Sequence, residues 1–289
     1  VQPVRIGDEL TRRHLLFGMF CLVTAGLYAD TLLALYQYGR ADSSASHLIL
    51  MPVVAAGLVF QARTGIFAAA SVDLTLGGII AAAGLALGFA VPASVSHEGS
   101  ASLGLSVLSL VTVWAGGFTL VYGRQALRRA AFPLLFLGLS IPIPPVLLKA
   151  AVDGLKAGSA EAVEMLFTLT GTVYHRDEFI FYLPGVAIEI ADACSGIRSS
   201  IALMLTAVLA GYLYLDSPSK RVVLILAVLP IAILKNAVRI GTLTLLSIHV
   251  DPSFLTGQLH HDGGVVFFVL GLVMMIPVLA LLRSPWRNA

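Results

Sequence analysis

The sequence predicts an all-α, polytopic membrane protein with about eight transmembrane helices and a small β-hairpin on the outer face. Composition indicates this class, because 58% of the 289 residues are hydrophobic and 12% are charged, whereas a soluble domain usually has about 25% charged residues. The mean hydropathy is +0.92. Apolar runs of about 20 residues, the length that crosses a hydrocarbon core, recur along the chain. Helices are expected because each backbone polar group in lipid must be satisfied within its own segment.

Apolar runs predict the spans, and the distribution of basic residues predicts their orientation. The runs cover residues 15–37, 46–61, 67–91, 101–122, 130–148, 199–215, 222–247 and 264–282. Short cytoplasmic loops collect Lys and Arg, and most of the 18 basic residues fall in alternate segments if the N-terminus is inside. An even number of spans also leaves the basic C-terminal segment, with Arg283 and Arg287, inside. The sequence therefore predicts an N-in, C-in protein with the lipid bilayer as its partner.

The charge pattern excludes nucleic acid as a partner. The net charge is only +2, and the basic residues are spread over several loops and do not gather on one face. The two cysteines cannot build a disulfide framework.

Residues 149–195 form the longest stretch between predicted spans, and they fall on the outer side in this topology. Apolar and charged residues mix at helical spacing over 150–170, which predicts an interfacial helix that Gly171 ends. Over 172–190, β-branched and aromatic residues flank Pro184 and Gly185, a pair typical of turns. This pattern predicts a short β-hairpin, with an irregular loop as the alternative.

The first polar cluster is Ala-Cys-Ser-Gly-Ile-Arg at 193–198, where the sixth span begins. A thiol is nucleophilic as its thiolate, and a helix N-terminus and a nearby arginine both lower the thiol pKa. Cys194 has both features, with Arg198 as the arginine. Cys21, inside the first span, is interpreted as a packing residue. The sequence thus indicates Cys194 as the candidate nucleophile.

The second polar cluster, Lys235, Asn236 and Arg239, lies inside the seventh span. Separations of three and four residues place these side chains on one helical face. An ionisable side chain at this depth costs about 2.5–3.5 kcal/mol, so it normally faces a partner or a cavity. Arg239 is the candidate partner of the cysteine, and the deeper Lys235 is interpreted as the more structural residue. Snorkelling to the interface or a structural ion pair is the alternative.

The third cluster, at 260–264, is His-His-Asp-Gly-Gly and precedes the eighth span. Histidine titrates near neutral pH and is the commonest general acid or base. The spacing matches no zinc signature, so neither a metal nor another cofactor is predicted. The predicted topology brings Cys194, Arg239 and His260 to the outer leaflet. They would serve there as nucleophile, oxyanion or thiolate stabiliser, and proton carrier.

Together these motifs resemble those of the exosortase/archaeosortase family of membrane cysteine transpeptidase-like enzymes. The resemblance rests on Ala-Cys-Ser-Gly-Ile-Arg at 193–198, Asn-x-x-Arg at 236–239, His-x-x-x-Gly at 260–264 and the preceding Leu-Pro-Gly at 183–185. It covers roughly residues 100–283. The histidine, which replaces the second arginine of archaeal relatives, is similar to the bacterial exosortase branch. A multi-pass protein of a bacterial inner membrane, with its active site facing the periplasm, is therefore implied.

The resemblance also implies a role for each motif. Cys194 would be the nucleophile, Arg239 its essential partner and His260 the general acid/base, with His261 competing one residue away. The candidate substrate-binding residues are Arg198, Asn236, Ser195 and His261. Residues 96–289 would form the catalytic core, which includes the outer-face segment 149–195, and residues 1–95 would be N-terminal transmembrane helices of unassigned role.

The substrates implied by the resemblance are secreted proteins with a C-terminal sorting signal. This signal consists of a short motif, often Pro-Glu-Pro, a hydrophobic helix and a basic tail. The expected function is cleavage of the signal through a thioester intermediate, followed by hydrolysis or by transpeptidation. A transporter or a non-catalytic export scaffold that uses the buried lysine and arginine of the seventh span is the alternative. The sequence shows no inverted repeat of the kind typical of transporters.

Overall fold

The computed structural model describes residues 6–90, 100–192, 195–255 and 264–283. These residues are mostly α-helical with one small sheet, so the predicted all-α polytopic class is confirmed. Within the described ranges, five helices are long and apolar enough to cross a membrane, or up to seven if two pairs of consecutive helices each form one bent span. The chain divides into two compact units, Val1–Pro145 and Val146–Ala289. The division of function at residues 95 and 96 stays a prediction, as does the N-in, C-in orientation.

The first unit is built from helices. They are α1 (Ile6–Leu27), α2 (Ala29–Ala41), a 3₁₀ helix (Ser43–Ile49), α3 (Met51–Gln61), α4 (Arg63–Phe67), α5 (Leu74–Phe89), α6 (Ser100–Arg129), α7 (Ala131–Leu137) and a 3₁₀ helix (Gly138–Ser140).

The first predicted span is bent, because α1 and α2 meet at 76° around Tyr28. Thr24, one turn before the bend, donates its hydroxyl to the carbonyl of Phe20 at 2.8 Å and accepts from the indole of Trp114 at 2.8 Å. Hydroxyl bonds back to the preceding turn are a known cause of helix bending. The Tyr28 hydroxyl lies 2.6 Å from the Ser109 hydroxyl of α6, which holds the bend in place.

Helix α5 is shorter than the predicted span at 67–91. The Asp73 side chain accepts a hydrogen bond from the backbone N–H of Leu76 at 2.9 Å and so caps a helix that begins only at Leu74. The 16 residues of α5 reach about 24 Å at 1.5 Å per residue, which is less than the hydrocarbon thickness of about 30 Å. This short helix accounts for part of the difference from the predicted eight spans.

The predicted fifth span, at 130–148, is also interrupted. Helix α7 ends at Leu137 and a 3₁₀ turn continues to Ser140, so the regular helix stops well before residue 148. The segment Ile141-Pro142-Ile143-Pro144-Pro145 follows. Proline lacks a backbone N–H and disfavours helical geometry in the residue before it, which explains the break.

In its described ranges, the second unit combines four α-helices with a small sheet. Its elements are α8 (Pro145–Leu169), β1 (His175–Asp177), β2 (Ile180–Leu183), β3 (Val186–Glu189), α9 (Ile197–Tyr214), α10 (Pro218–His249), a 3₁₀ helix (Pro252–Leu255) and α11 (Gly264–Arg283). Helices α9, α10 and α11 share an apolar core that includes Leu203, Leu224 and Met275.

The helix and the hairpin predicted between 149 and 195 are both confirmed. Helix α8 covers the expected residues, begins earlier at Pro145 and is followed by Gly171 in a left-handed conformation (φ +67). Strands β2 and β3 pair antiparallel with Leu183 opposite Val186, and Gly185 has the positive φ of +82 that this turn requires. The sequence analysis missed β1, which pairs with β2 to give a three-stranded sheet.

Helix α8 packs against this sheet through an aromatic contact and an ion-pair cluster. The rings of Phe167 and Phe181 lie 5.7 Å apart in an edge-to-face arrangement. Arg176 of β1 binds the carboxylate of Glu161 at 2.9 Å and that of Glu164. The hydrogen bonds that Arg176 donates to these carboxylates, that to Glu161 first, raise the pKa of Arg176. The sheet is therefore held to α8 by both apolar and charged contacts.

Gly84→Ala is expected to lower thermal stability, whereas Gly78→Ala in the same helix is not. A Cβ at Gly84 would lie 2.7 Å from the backbone nitrogen of Val113 in α6, and a Cβ at Gly78 would have no neighbour within 4 Å. Alanine favours a helix over glycine by about 1 kcal/mol, whereas overpacking costs about 1–3 kcal/mol. Thermal unfolding of the detergent-solubilised protein measures the difference. Equal midpoints for the two variants would contradict the close packing of α5 and α6.

Candidate functional site

All the residues predicted for the site belong to the second unit. The structure describes four of them, which are Ser195, Arg198, Asn236 and Arg239. The other three, Cys194, His260 and His261, lie outside the described residues. The described residues form the turn that follows Cys194 in the sequence and the helices that contact this turn.

A left-handed glycine begins helix α9 directly after the cysteine motif. Gly196 has φ +71, a conformation that costs a residue with a Cβ about 1–2 kcal/mol. Its carbonyl accepts from the backbone N–H of Ser200 at 3.0 Å and from the hydroxyl of Ser199 at 3.0 Å. A Cβ at Gly196 would lie 2.8 Å from Oδ1 of Asn236. Both the backbone and the neighbouring helix therefore require glycine at this position.

Ser195 is fully buried in the same turn. Its backbone N–H donates to the carbonyl of Asp192 at 3.1 Å, and its Oγ accepts from the backbone N–H of Ile197 at 3.4 Å. Such local bonds satisfy backbone groups that a helix start leaves without partners. These contacts support a role in shaping the turn, and the substrate contact of Ser195 stays a prediction.

Lys156 of α8 binds the segment that leads into the motif. Its ammonium lies 2.7 Å from Oδ1 of Asp192 and 4.8 Å from the ring centroid of Phe179. The hydrogen bond from Lys156 lowers the pKa of Asp192, whose carboxylate is therefore ionised at neutral pH. The sequence analysis missed this contact. The available signal was a basic residue between Leu155 and Ser159, both of which are buried in α8.

Helix α10 presents buried polar side chains to α8 and to α9. Asn236 is buried, and its Nδ2 donates to the hydroxyl of Ser159 in α8 at 3.0 Å. Arg239, one turn later, is half-buried. The contact to Ser159 supports a role for Asn236 in joining α8 to α10, and the substrate contact of Asn236 stays a prediction.

Lys235 reaches the cysteine motif directly. Its side chain is only 2% exposed, and its ammonium donates to the carbonyl of Gly196 at 3.4 Å and to the hydroxyl of Ser199. A Cβ at Gly271 of α11 would lie 3.8 Å from the Lys235 Cγ, so the aliphatic stem passes beside that helix. The sequence analysis placed Lys235 on the correct helix but did not connect it to the motif.

Arg198 extends from the second residue of α9 and is exposed. Within the described part of the chain, no carboxylate forms an ion pair with it. A cation in the first turn of a helix opposes the helix dipole by about 0.3–1 kcal/mol. A contribution to folding stability therefore does not explain the positive charge of Arg198.

A cavity of about 1000 Å³ lies in the first unit, and none of the predicted site residues lines it. Its walls are mainly apolar and include Phe17, Phe60 and Trp114.

As for metals, the described ranges contain no group of three or more His, Cys, Asp or Glu side chains arranged to hold an ion.

Gly196→Ala is expected to destabilise the protein more than Gly171→Ala does. Both glycines have positive φ, +71 and +67, so both variants carry the same backbone penalty of about 1–2 kcal/mol. Only at Gly196 would the new Cβ also meet another residue, because no atom lies within 4 Å of a Cβ at Gly171. Thermal unfolding midpoints in detergent measure the two costs. A smaller loss for Gly196→Ala than for Gly171→Ala would contradict the contact with Asn236.

Comparison with known protein families identifies the family of this chain. The model of the family described as transmembrane exosortase (Exosortase_EpsH) matches residues 39–277, well over half of the 289 residues. No similar curated protein and no similar solved structure is found. The matched range contains the turn at Gly196 and the polar face of α10 described above. The chain is a multi-pass membrane protein and belongs to the transmembrane exosortase family.

Proposed function

We propose that the protein is a membrane-embedded cysteine peptidase or transpeptidase that cleaves a C-terminal sorting signal from secreted proteins. The family is one of membrane cysteine peptidases and transpeptidases. The substrate signal is a short motif of the Pro-Glu-Pro type followed by a hydrophobic helix and a basic tail. The enzyme acts from a bacterial inner membrane with its site facing the periplasm.

One observation carries this proposal. The turn at 195–200, directly after Cys194, is held by polar groups from two other helices, Lys235 of α10 and, through Asp192, Lys156 of α8. A segment that only crossed the bilayer would need none of these contacts. A reactive group, in contrast, must be held in a fixed position to act as a nucleophile.

In the proposed reaction, the Cys194 thiolate attacks the scissile carbonyl carbon of the substrate. The C–S bond forms, and the carbonyl electron pair moves to oxygen to give a tetrahedral oxyanion. The guanidinium of Arg239, which cannot be deprotonated in proteins, stabilises both the thiolate and this oxyanion. Positive charge is most effective here because water is scarce in a low-dielectric site.

Collapse of the tetrahedral intermediate breaks the C–N bond. Protonated His260, with His261 as its neighbour, donates a proton to the departing amine, and the C-terminal helix leaves. The remaining thioester is then attacked by water, in hydrolysis, or by another nucleophile, in transpeptidation, and either attack regenerates the Cys194 thiolate.

Arg198 is proposed to bind the glutamate of the substrate motif. Its guanidinium is exposed four residues after Cys194, at the start of α9. Arginine binds carboxylates with two parallel hydrogen bonds, which gives both affinity and orientation. The absence of an ion pair with any carboxylate of the described ranges leaves this side chain available to a substrate.

Cys194→Ser is expected to abolish processing of a secreted protein that bears a Pro-Glu-Pro tail. The serine hydroxyl is a far weaker nucleophile than a thiolate, because its proton is not lost near neutral pH. Co-expression of enzyme and substrate, followed by mass spectrometry of the substrate, measures the loss of the C-terminal segment. Trapping of an acyl group on Cys194 would identify the cleavage point.

Cys21→Ser serves as the matched control for this variant, because it removes the other thiol of the sequence. It should process the substrate at the wild-type level. Normal processing by Cys194→Ser at equal expression would contradict the proposal that the protein is a cysteine peptidase.

Arg198→Gln is expected to reduce processing of the Pro-Glu-Pro substrate by about tenfold or more, which corresponds to the loss of about 1.4 kcal/mol of charge-assisted binding. The same variant should act on a Pro-Gln-Pro substrate as well as the wild-type enzyme does. Initial cleavage rates for the four combinations form a double-mutant cycle. Independent effects of the two changes would rule out contact between Arg198 and the glutamate.

A further inference from the structure

The Lys235 side chain lies where α10 meets the start of α9 and Gly271 of α11. Its ammonium donates to the Gly196 carbonyl, in the turn before α9, and to the Ser199 hydroxyl, in the first turn of α9. Its aliphatic stem passes beside Gly271 of α11. A buried cation thus binds the backbone carbonyl of Gly196, two residues after Cys194 in the sequence.

Stability alone does not favour a lysine over an apolar residue at this position. Position 235 lies near the middle of the 32-residue helix α10, where lipid and protein surround it and an ammonium is costly to desolvate. In the part of the chain that the structure describes, no carboxylate lies within 4 Å of this ammonium. Arg239, one turn along the same helix, adds a second positive charge. An apolar side chain of similar length would fill the same space without these costs.

We propose that Lys235 is a positioning residue for the nucleophile. Its ammonium holds the Gly196 carbonyl, and thereby the left-handed turn that orients Cys194, and its charge favours the thiolate over the thiol. This inference rests on the proposed function of Cys194, and it adds a second cation to the one that the Asn-x-x-Arg motif supplies.

The contact with Ser199 allows a different chemistry that the same experiment must separate. A neutral lysine beside a serine hydroxyl is the arrangement of Ser-Lys enzymes, in which the amine removes the hydroxyl proton. In the structure, however, the Ser199 hydroxyl also donates to the Gly196 carbonyl at 3.0 Å. That bond directs its proton to the backbone and leaves its oxygen to accept from Lys235, as expected for an ammonium that organises the turn.

The test measures the reactivity of the Cys194 thiol without any substrate. The full-length protein carries Cys21→Ser, so that Cys194 is the single thiol of a sequence with two cysteines. Alkylation by iodoacetamide in native membranes is followed from pH 5 to pH 10 for Lys235→Met, Lys235→Gln, Lys235→Arg and the parent. Lys220→Met is the matched control, since it removes a lysine from the first turn of the same helix, about 22 Å away at 1.5 Å per residue.

Lys235→Met and Lys235→Gln are expected to raise the pH of half-maximal alkylation by about one unit, which is a tenfold smaller thiolate fraction at a given pH. Lys235→Arg should keep most of the parent profile, because it retains the charge and a donor. Lys220→Met should leave the profile unchanged. The charged groups of the described residues that bind or flank this turn, which all variants retain, are Lys156, Asp192, Arg198 and Arg239.

An unchanged alkylation profile in both neutral variants would overturn the proposal, even if processing were lost, because Lys235 would then act on structure alone. Loss of processing in Ser199→Ala together with normal processing in Cys194→Ser would also overturn it, since the Ser199–Lys235 pair would then be the nucleophile and base. Alkylation does not require peptidase activity. The proposed function can therefore fail, through a processing-competent Cys194→Ser, while the thiol profile still reports on Lys235.

Discussion

Polar groups buried in the middle of α10 must find their partners within the protein, because a bilayer core offers none. Lys235 and Asn236 are both nearly inaccessible to solvent, and their side chains reach in different directions. Asn236 binds Ser159 of α8, and Lys235 binds the turn at Gly196. Neither helix can shift relative to α10 without breaking one of these bonds and leaving a buried polar group without a partner, which costs about 1–3 kcal/mol or more for a charge. The arrangement of the second unit follows from this requirement.

The fold was largely predictable wherever the bilayer sets the pattern. Long apolar runs predicted α6, α9, α10 and α11, and the turn residues at Pro184 and Gly185 predicted the hairpin. One error falls where contacts distant in sequence bend a helix. The bend at Tyr28 depends on bonds from Thr24 and Tyr28 to residues about 80 to 90 positions later, and no local pattern reports such contacts. The late start of α5 is different, because Asp73 is a recognisable cap.

Residue types alone predicted the candidate catalytic residues, whereas the residues that support them could be identified only from the fold. A cysteine among polar neighbours and an arginine within an apolar span indicate chemistry from their types alone. Their supports do not, because Lys156 is 36 residues from Asp192 and Lys235 is 39 residues from Gly196. Lys235 was singled out by its depth and interpreted as structural. Its contact with the motif depends on the packing of α9 against α10. Local hydrophobic periodicity does not predict which helices pack together.

The turn at Gly196 is supported from two sides that differ in their access to water. The Asp192 carboxylate, bound by Lys156, is 73% exposed, whereas Lys235 is buried. Dissolved ions weaken an exposed ion pair increasingly as the Debye length falls, from about 10 Å at 0.1 M to about 3 Å at 1 M salt, and they act much less on a buried group. Higher ionic strength in the solution that reaches Asp192 would therefore weaken the contact with α8 and leave the contact with α10 intact. The segment before Cys194 thus responds to dissolved ions, whereas the contact of the segment after it with α10 does not.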